Sequence, residues 1–165
     1  MISIFRNKNG FTLIESLIYS TLLAIFLGGA LIFVNSIISV NSSMQEYNEL
    51  IANQEFIERK LHWLLASATN VASPVAGTAS ATLSINGRTS GIYPVSFSPA
   101  SSTLFLSLNS GPAKEISNSR VKIDSFLATH FSNSQTSSSL LIYLELSSNK
   151  YSYIKVSSTL SYVLP

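Results

Sequence analysis

The chain has 165 residues, enough for one compact domain with an appendage. Its formal charge of +2 is carried by Arg6 and Lys8 at the extreme N-terminus, and the rest holds eight basic and eight acidic residues, which excludes the broad basic surface that steers nucleic acid. With no cysteine, disulfides, covalent haem attachment and thiolate metal sites are excluded, so stability must come from the core and from assembly.

Asn9-Gly10-Phe11-Thr12-Leu13-Ile14-Glu15 opens a long apolar run over residues 16–40. A hydrocarbon core of about 30 Å needs roughly 20 mostly apolar helical residues, so the run predicts a transmembrane helix over about 14–40. No Lys or Arg follows Lys8 until Arg59, which orients the N-terminus to the cytoplasm. Gly10 precedes the apolar run and no Ala-x-Ala pattern closes it, so a signal anchor fits better than a cleaved secretory signal. After Glu15 there is no charge until Glu46. A lone carboxylate at the head of such a segment is expensive to keep, and so reads as functional, with a cationic partner expected.

Beyond residue 40 the pattern becomes amphipathic. Met44, Tyr47, Leu50, Ile51, Ile57, Leu61, Leu64, Leu65 and Ala68 recur at helical spacing, with Glu46, Glu49, Asn53, Arg59 and Lys60 mostly elsewhere. Glu55 and Arg59 form an i,i+4 pair in the favourable order. No proline interrupts residues 11–73, which predicts one helix from about Phe11 to Ser67. Gly28-Gly29 is its weak point, suited to close helix packing in a membrane or, as the second reading, to a place where the helix stretches or melts.

From Val71 short alternating runs are separated by Ser, Asn, Gly and Pro. Strands are expected over Thr82–Ile85, Ile92–Phe97 and Thr103–Leu108, with one or two more within Val121–Phe131. Asn86-Gly87 is the strongest hairpin signal, and Pro99–Ser102 and Ser132–Ser139 read as loops. Leu140–Leu146 and Tyr151–Leu160 form a hairpin across Ser147–Lys150. One long helix followed by runs of strands indicates an α+β fold, with an antiparallel meander covering the second half of the helix. The implied division is a long helix at 11–68 and a β-rich domain at 69–165, with residues 1–10 ahead of the helix.

No enzyme is expected. His62 and His130 lie in no metal-ligand spacing, Asp124 is the sole aspartate, no Gly-x-Ser-x-Gly elbow occurs, and no glycine-rich loop precedes a helix. Neither cofactor nor metal is called for. Trp63, Tyr93, Tyr143, Tyr151, Tyr153 and Tyr162 are candidates for a contact surface, or for completing a core or subunit interface.

Gly10-Phe11-Thr12-Leu13-Ile14-Glu15, following a short basic leader, resembles the processing site of type IV prepilins and type II secretion pseudopilins. The resemblance implies cleavage after Gly10 by a membrane-embedded prepilin peptidase and N-methylation of Phe11. It also implies assembly through Thr12 and Glu15, the carboxylate neutralising the amine of a neighbouring Phe11. The implied partners are other pilin or pseudopilin subunits, the peptidase, the assembly platform, and membrane lipid before assembly. The implied location is the cytoplasmic membrane, then an extracytoplasmic fibre. The tail from Arg120 onward resembles larger minor pilins and J-type pseudopilins. A major pilin, and an uncleaved single-pass anchored binding module, remain alternatives.

Overall fold

The computed structural model describes residues 12–132 and 138–164, which fall into two units that divide between Ser42 and Ser43. One helix, α1 (Leu13–Leu65), contributes to both.

In the first unit α1 runs from its cap at Thr12 through the apolar segment. It is long and apolar enough to cross a membrane, and its large side chains from Leu13 to Val40 are exposed. Hydroxyls in this segment bond back to the helix itself. Ser16 and Ser20 donate to the carbonyls of Leu13 and Leu17 at 2.9 Å, and Thr21 donates to Leu17 at 2.8 Å. Such bonds satisfy polar groups that hydrocarbon would leave bare. The helix is unbroken at Gly28 and Gly29, where an added Cβ would meet nothing within 4 Å.

The second unit starts with the rest of α1, whose Leu50, Ile57, Leu61, Leu64 and Leu65 are buried. Nine strands follow among the described residues: β1 (Ala68–Ser73), β2 (Ala79–Ser80), β3 (Leu83–Gly87), β4 (Val95–Ala100), β5 (Thr103–Leu108), β6 (Lys114–Glu115), β7 (Val121–Ser132), β8 (Ser138–Ser148) and β9 (Lys155–Leu164). They form two antiparallel sheets, ordered β1-β3-β4-β5-β6 and β2-β7-β8-β9. The fold is therefore α+β, as expected, but the single meander becomes two. Period-2 alternation supplies both with an inner face: Leu83, Ile85, Val95, Phe97, Leu104 and Leu106 from one, Phe126, Ala128, Leu140, Ile142, Leu144 and Leu146 from the other. Phe97 and Phe126 stack across the two, ring centroids 6.3 Å apart.

Several local expectations are corrected. Asn86-Gly87 is not a hairpin turn; it ends β3, opposite Asn70 and Ala68 of β1. A Cβ on Gly87 would lie 2.4 Å from the Tyr93 ring and 2.7 Å from the Ser67 carbonyl oxygen, so the glycine serves a close approach. The two-residue turn lies instead at Ser101-Ser102, with φ of 50° and 65°, and Ala100 pairs with Thr103 across it. Pro99 and Ala100, expected in a loop, belong to β4. Pro99 is tolerated because β3 pairs with β4 only as far as Phe97, leaving the proline's nitrogen side without a strand neighbour. Residues 121–132 form one strand, with a bulge between Ile123 and Ser125. The expected Ser-rich loop begins and ends inside strands, at Ser132 and at Ser138 and Ser139, and its residues 133–137 lie outside those described.

The helix stripe is shorter than expected. Met44 and Tyr47 are exposed and burial begins at Leu50; at the earlier turns the residues met by other parts of the unit are Glu46 and Glu49. Helix α1 ends at Leu65 and Ala68 opens β1, whose pairing with β3 overrides the helical spacing. Among the described residues Glu55 and Arg59 form no ion pair; the three pairs present join Arg120 to Glu49 and Lys155 to Asp124 and Glu145.

Candidate processing and assembly site

Gly10 and Phe11 lie outside the described residues, so the structure begins one residue past the expected cut. Thr12 is the N-cap of α1. Its carbonyl accepts from the N–H groups of Glu15 and Ser16 at 3.0 and 3.2 Å, and its Oγ1 accepts from the Glu15 N–H at 3.3 Å. The first N–H groups of a helix have no partner within it, and a threonine oxygen placed here satisfies one of them. Glu15 falls at the third helical position, completing the Thr-x-x-Glu spacing of a capping box. Sequence reasoning weighed Glu15 for its charge alone; the capping signature was equally legible in the spacing.

The Glu15 side chain is partly exposed. Among the described residues nothing donates a hydrogen bond to its carboxylate, while the positive end of the helix dipole favours an anion there. Ile14, Leu17, Ile18, Thr21 and Leu22 line a shallow, mostly apolar groove of about 300 Å³ one turn further on.

The second unit does not gather its chemistry-bearing residues into one site. His62 is exposed on α1, its ring 6.1 Å from that of Tyr162. His130 is buried on β7 with Nδ1 3.0 Å from the Pro74 carbonyl oxygen. Among the described residues no three His, Asp or Glu side chains are grouped to hold a metal ion. Asp124 pairs with Lys155 at 2.7 Å and accepts from Ser147 at 2.9 Å. Burial opposes its ionisation, but these hydrogen bonds and the charges of Lys155 and Lys122 prevail and hold its pKa below the usual carboxylate range.

The aromatic candidates are likewise dispersed. Tyr93 is core, its hydroxyl donating to the Leu64 carbonyl, and burial pushes its pKa up. Trp63 is exposed on α1 beneath Lys60 Nζ, 5.2 Å from its ring centre. Tyr143 donates to Glu145 at 3.2 Å. Tyr162 is half-buried, and burial followed by the Glu58 charge raises its pKa. Tyr151 and Tyr153 sit together on the β8–β9 loop, ring centres 5.7 Å apart.

One polar cluster escaped the sequence reading. Glu46, Glu49 and Asn53, at i, i+3 and i+7 on α1, receive two loops. Ser148 Oγ donates to Glu46 at 2.8 Å, Arg120 Nη1 to Glu49 at 2.5 Å, and the Asn118 N–H to Asn53 Oδ1 at 3.1 Å. The Asn149 N–H donates to the Arg120 carbonyl at 2.8 Å and ties the loops to each other. The helical spacing of the three acceptors was visible in the sequence; their donors, 65 to 102 residues away, were not.

A family model described as the prokaryotic N-terminal methylation motif matches residues 5–31. That span holds the Gly10–Glu15 signature, the cap of α1 and the first part of the apolar run, so the chain is type IV prepilin-like at its N-terminus. No curated protein and no solved structure matches the chain.

Proposed function

We propose that this chain is a structural subunit, a minor pilin or pseudopilin, of a type IV pilus or type II secretion-like fibre, and that it is not an enzyme. In this reading a prepilin peptidase cuts after Gly10 and the new amine of Phe11 is methylated. The subunit then waits in the cytoplasmic membrane on its apolar segment, with the N-terminus on the cytoplasmic side, until an assembly platform moves it into the fibre. Thr12 starts the helix immediately after the cut, and Glu15 provides the counter-charge for the Phe11 amine of a neighbouring subunit.

The observation that carries the reading is the coincidence of three features: the methylation motif at residues 5–31, a helix capped at Thr12, and an exposed apolar segment from Leu13 to Val40. The β7–β8–β9 sheet after Arg120 supports the minor-subunit form. The mass of the N-terminal peptide from membrane-extracted protein tests the reading. N-methyl-Phe11 is the expected terminus, and Gly10→Val should retain residues 1–10 while still inserting, since insertion depends on the apolar run. An intact Met1 terminus in the wild type would instead identify an uncleaved anchor.

A further inference from the structure

The β8–β9 loop is held where the chain comes into the second unit, and its composition suits a lipid–water boundary. Ser148 Oγ binds Glu46 at 2.8 Å and also accepts from the N–H groups of Lys150 and Tyr151 at 3.1 Å each, so one hydroxyl both tethers the loop and shapes it. The Asn149 amide donates to Ser119, and the Ile154 N–H closes a turn onto the Tyr151 carbonyl at 2.8 Å. The loop so built presents Lys150, Tyr151, Ser152 and Tyr153 outward. Tyr153 is 74% exposed, and Lys150 Nζ lies 5.0 Å from the Tyr151 ring centre. Glu49 is engaged by Arg120 and Glu46 by Ser148, whereas Lys150 has no carboxylate among the ion pairs of the described residues.

We infer that this loop, through Lys150, Tyr151 and Tyr153, seats in the phospholipid headgroup layer while the subunit resides in the membrane. Five residues, 41–45, lie between Val40, the last of the apolar run, and Glu46. At no more than about 3.5 Å per residue the connection keeps the loop's anchor within about 21 Å of the end of that run, close enough for the loop to reach the membrane surface. The headgroup layer adds about 5–8 Å beyond the hydrocarbon on each side. Tyrosine rings favour that layer, where the ring is shielded and the hydroxyl stays wet, and an adjacent lysine extends its amine to phosphate. Tyr153 touches the Tyr151 ring, 5.7 Å between centres, yet leaves most of its own surface exposed. The inference rests on the membrane-anchored stage of the proposed function.

Because the chain has no cysteine, single labels are unambiguous. A fluorophore is attached to Ser152→Cys, to Val75→Cys, or to Ile25→Cys in the full-length protein, reconstituted at high dilution in vesicles containing brominated phospholipid. Val75 is 71% exposed on the segment pinned to His130 near the far end of β7 from Val121. Quenching is expected at Ile25 and at Ser152, the latter several-fold above Val75, and the Ser152 signal should fall to the Val75 level when Lys150→Glu and Tyr153→Ser are added. Quenching at Ile25 with Ser152 no different from Val75 overturns the loop's placement and leaves the anchor standing. An unquenched Ile25 removes the anchor, and the loop's placement with it. A Ser152 signal that ignores the double substitution overturns the roles of Lys150 and Tyr153.

Discussion

Glu15 is subject to two demands that pull in opposite directions. At the third position of α1, beside the cap made by Thr12, a carboxylate is favoured by the helix dipole and by the capping-box spacing. In an apolar segment the same charge costs on the order of 2–3 kcal/mol on insertion scales. Glu15→Ala should therefore ease residence in the bilayer and leave the cut after Gly10 unaffected. On the proposed function it would, in a fibre, strip a buried amine of its counter-charge, and breaking a buried pair from one side costs about 3–5 kcal/mol. That is a factor of several hundred or more in incorporation. Immunoblots of membrane and sheared-fibre fractions should show the variant in the first and missing from the second; equal incorporation would remove Glu15 from the assembly mechanism. Gly87 makes a different residue-scale case. With a Cβ only 2.4 Å from the Tyr93 ring and 2.7 Å from the Ser67 carbonyl oxygen, Gly87→Ala must displace either a core tyrosine or the connection between α1 and β1. A loss of about 1–3 kcal/mol is expected, measured as a lowered denaturant midpoint with an unchanged slope.

Strands β7, β8 and β9 are tied at one end by charge as well as by hydrogen bonds. Lys155 on β9 reaches Asp124 on β7 at 2.7 Å and Glu145 on β8 at 3.1 Å. The bulge at Asp124 gives β7 the extra residue that Asp124 occupies in this bridge. Asp124 has its pKa lowered in the fold. Its ionised form is thus bound better by the folded than by the unfolded chain, and the contribution is present above the ordinary carboxylate pKa of about 4. It is lost as pH falls through the lower folded value. Lys155 shifts upward, its hydrogen bonds to Asp124 and Glu145 being the leading cause, so its contribution holds below the usual lysine pKa of about 10.4 and fades as pH rises through the folded value. Asp124→Asn should flatten the acid limb of a plot of Tm against pH below about pH 4. A variant with the wild-type acid limb would show that the bridge does not link pH to stability.

At the scale of the whole molecule, the division between Ser42 and Ser43 separates a segment with no core of its own from a domain that has one. Leu50, Ile57, Leu61, Leu64 and Leu65 bury the helix's inner stripe against strands of the same unit, none of them needing the apolar segment. A fragment starting at about Gln45 should accordingly be soluble and folded, with mixed helix and strand signals in circular dichroism and a cooperative melt. It retains Glu46, Glu49 and Asn53, and hence the polar ties to the loops at Asn118–Arg120 and Ser148–Asn149. A spectrum dominated by disorder would mean that the domain depends on the membrane half. Among the described residues no cationic partner stands against Glu15.

The sequence by itself determined what depends on short range. The apolar run, the Gly10–Glu15 signature and the helical stripe from Leu50 to Leu65 are written in neighbouring residues, and so are β5 and most of β8, because period and hydropathy act over one or two turns or a few strand residues. Tertiary structure alone decided what depends on partners far along the chain. Whether Asn86-Gly87 turns or pairs was settled by β1 and by the Tyr93 ring, and the turn at Ser101-Ser102 was settled by the β4–β5 register, not by local preference. The split into two sheets follows from pairings such as β2 with β7, which link residues about fifty apart. The donors to Glu46, Glu49 and Asn53 came together the same way. Hydrogen bonds of this kind leave no periodic trace, because each is a meeting of two groups whose separation along the chain carries no regular spacing.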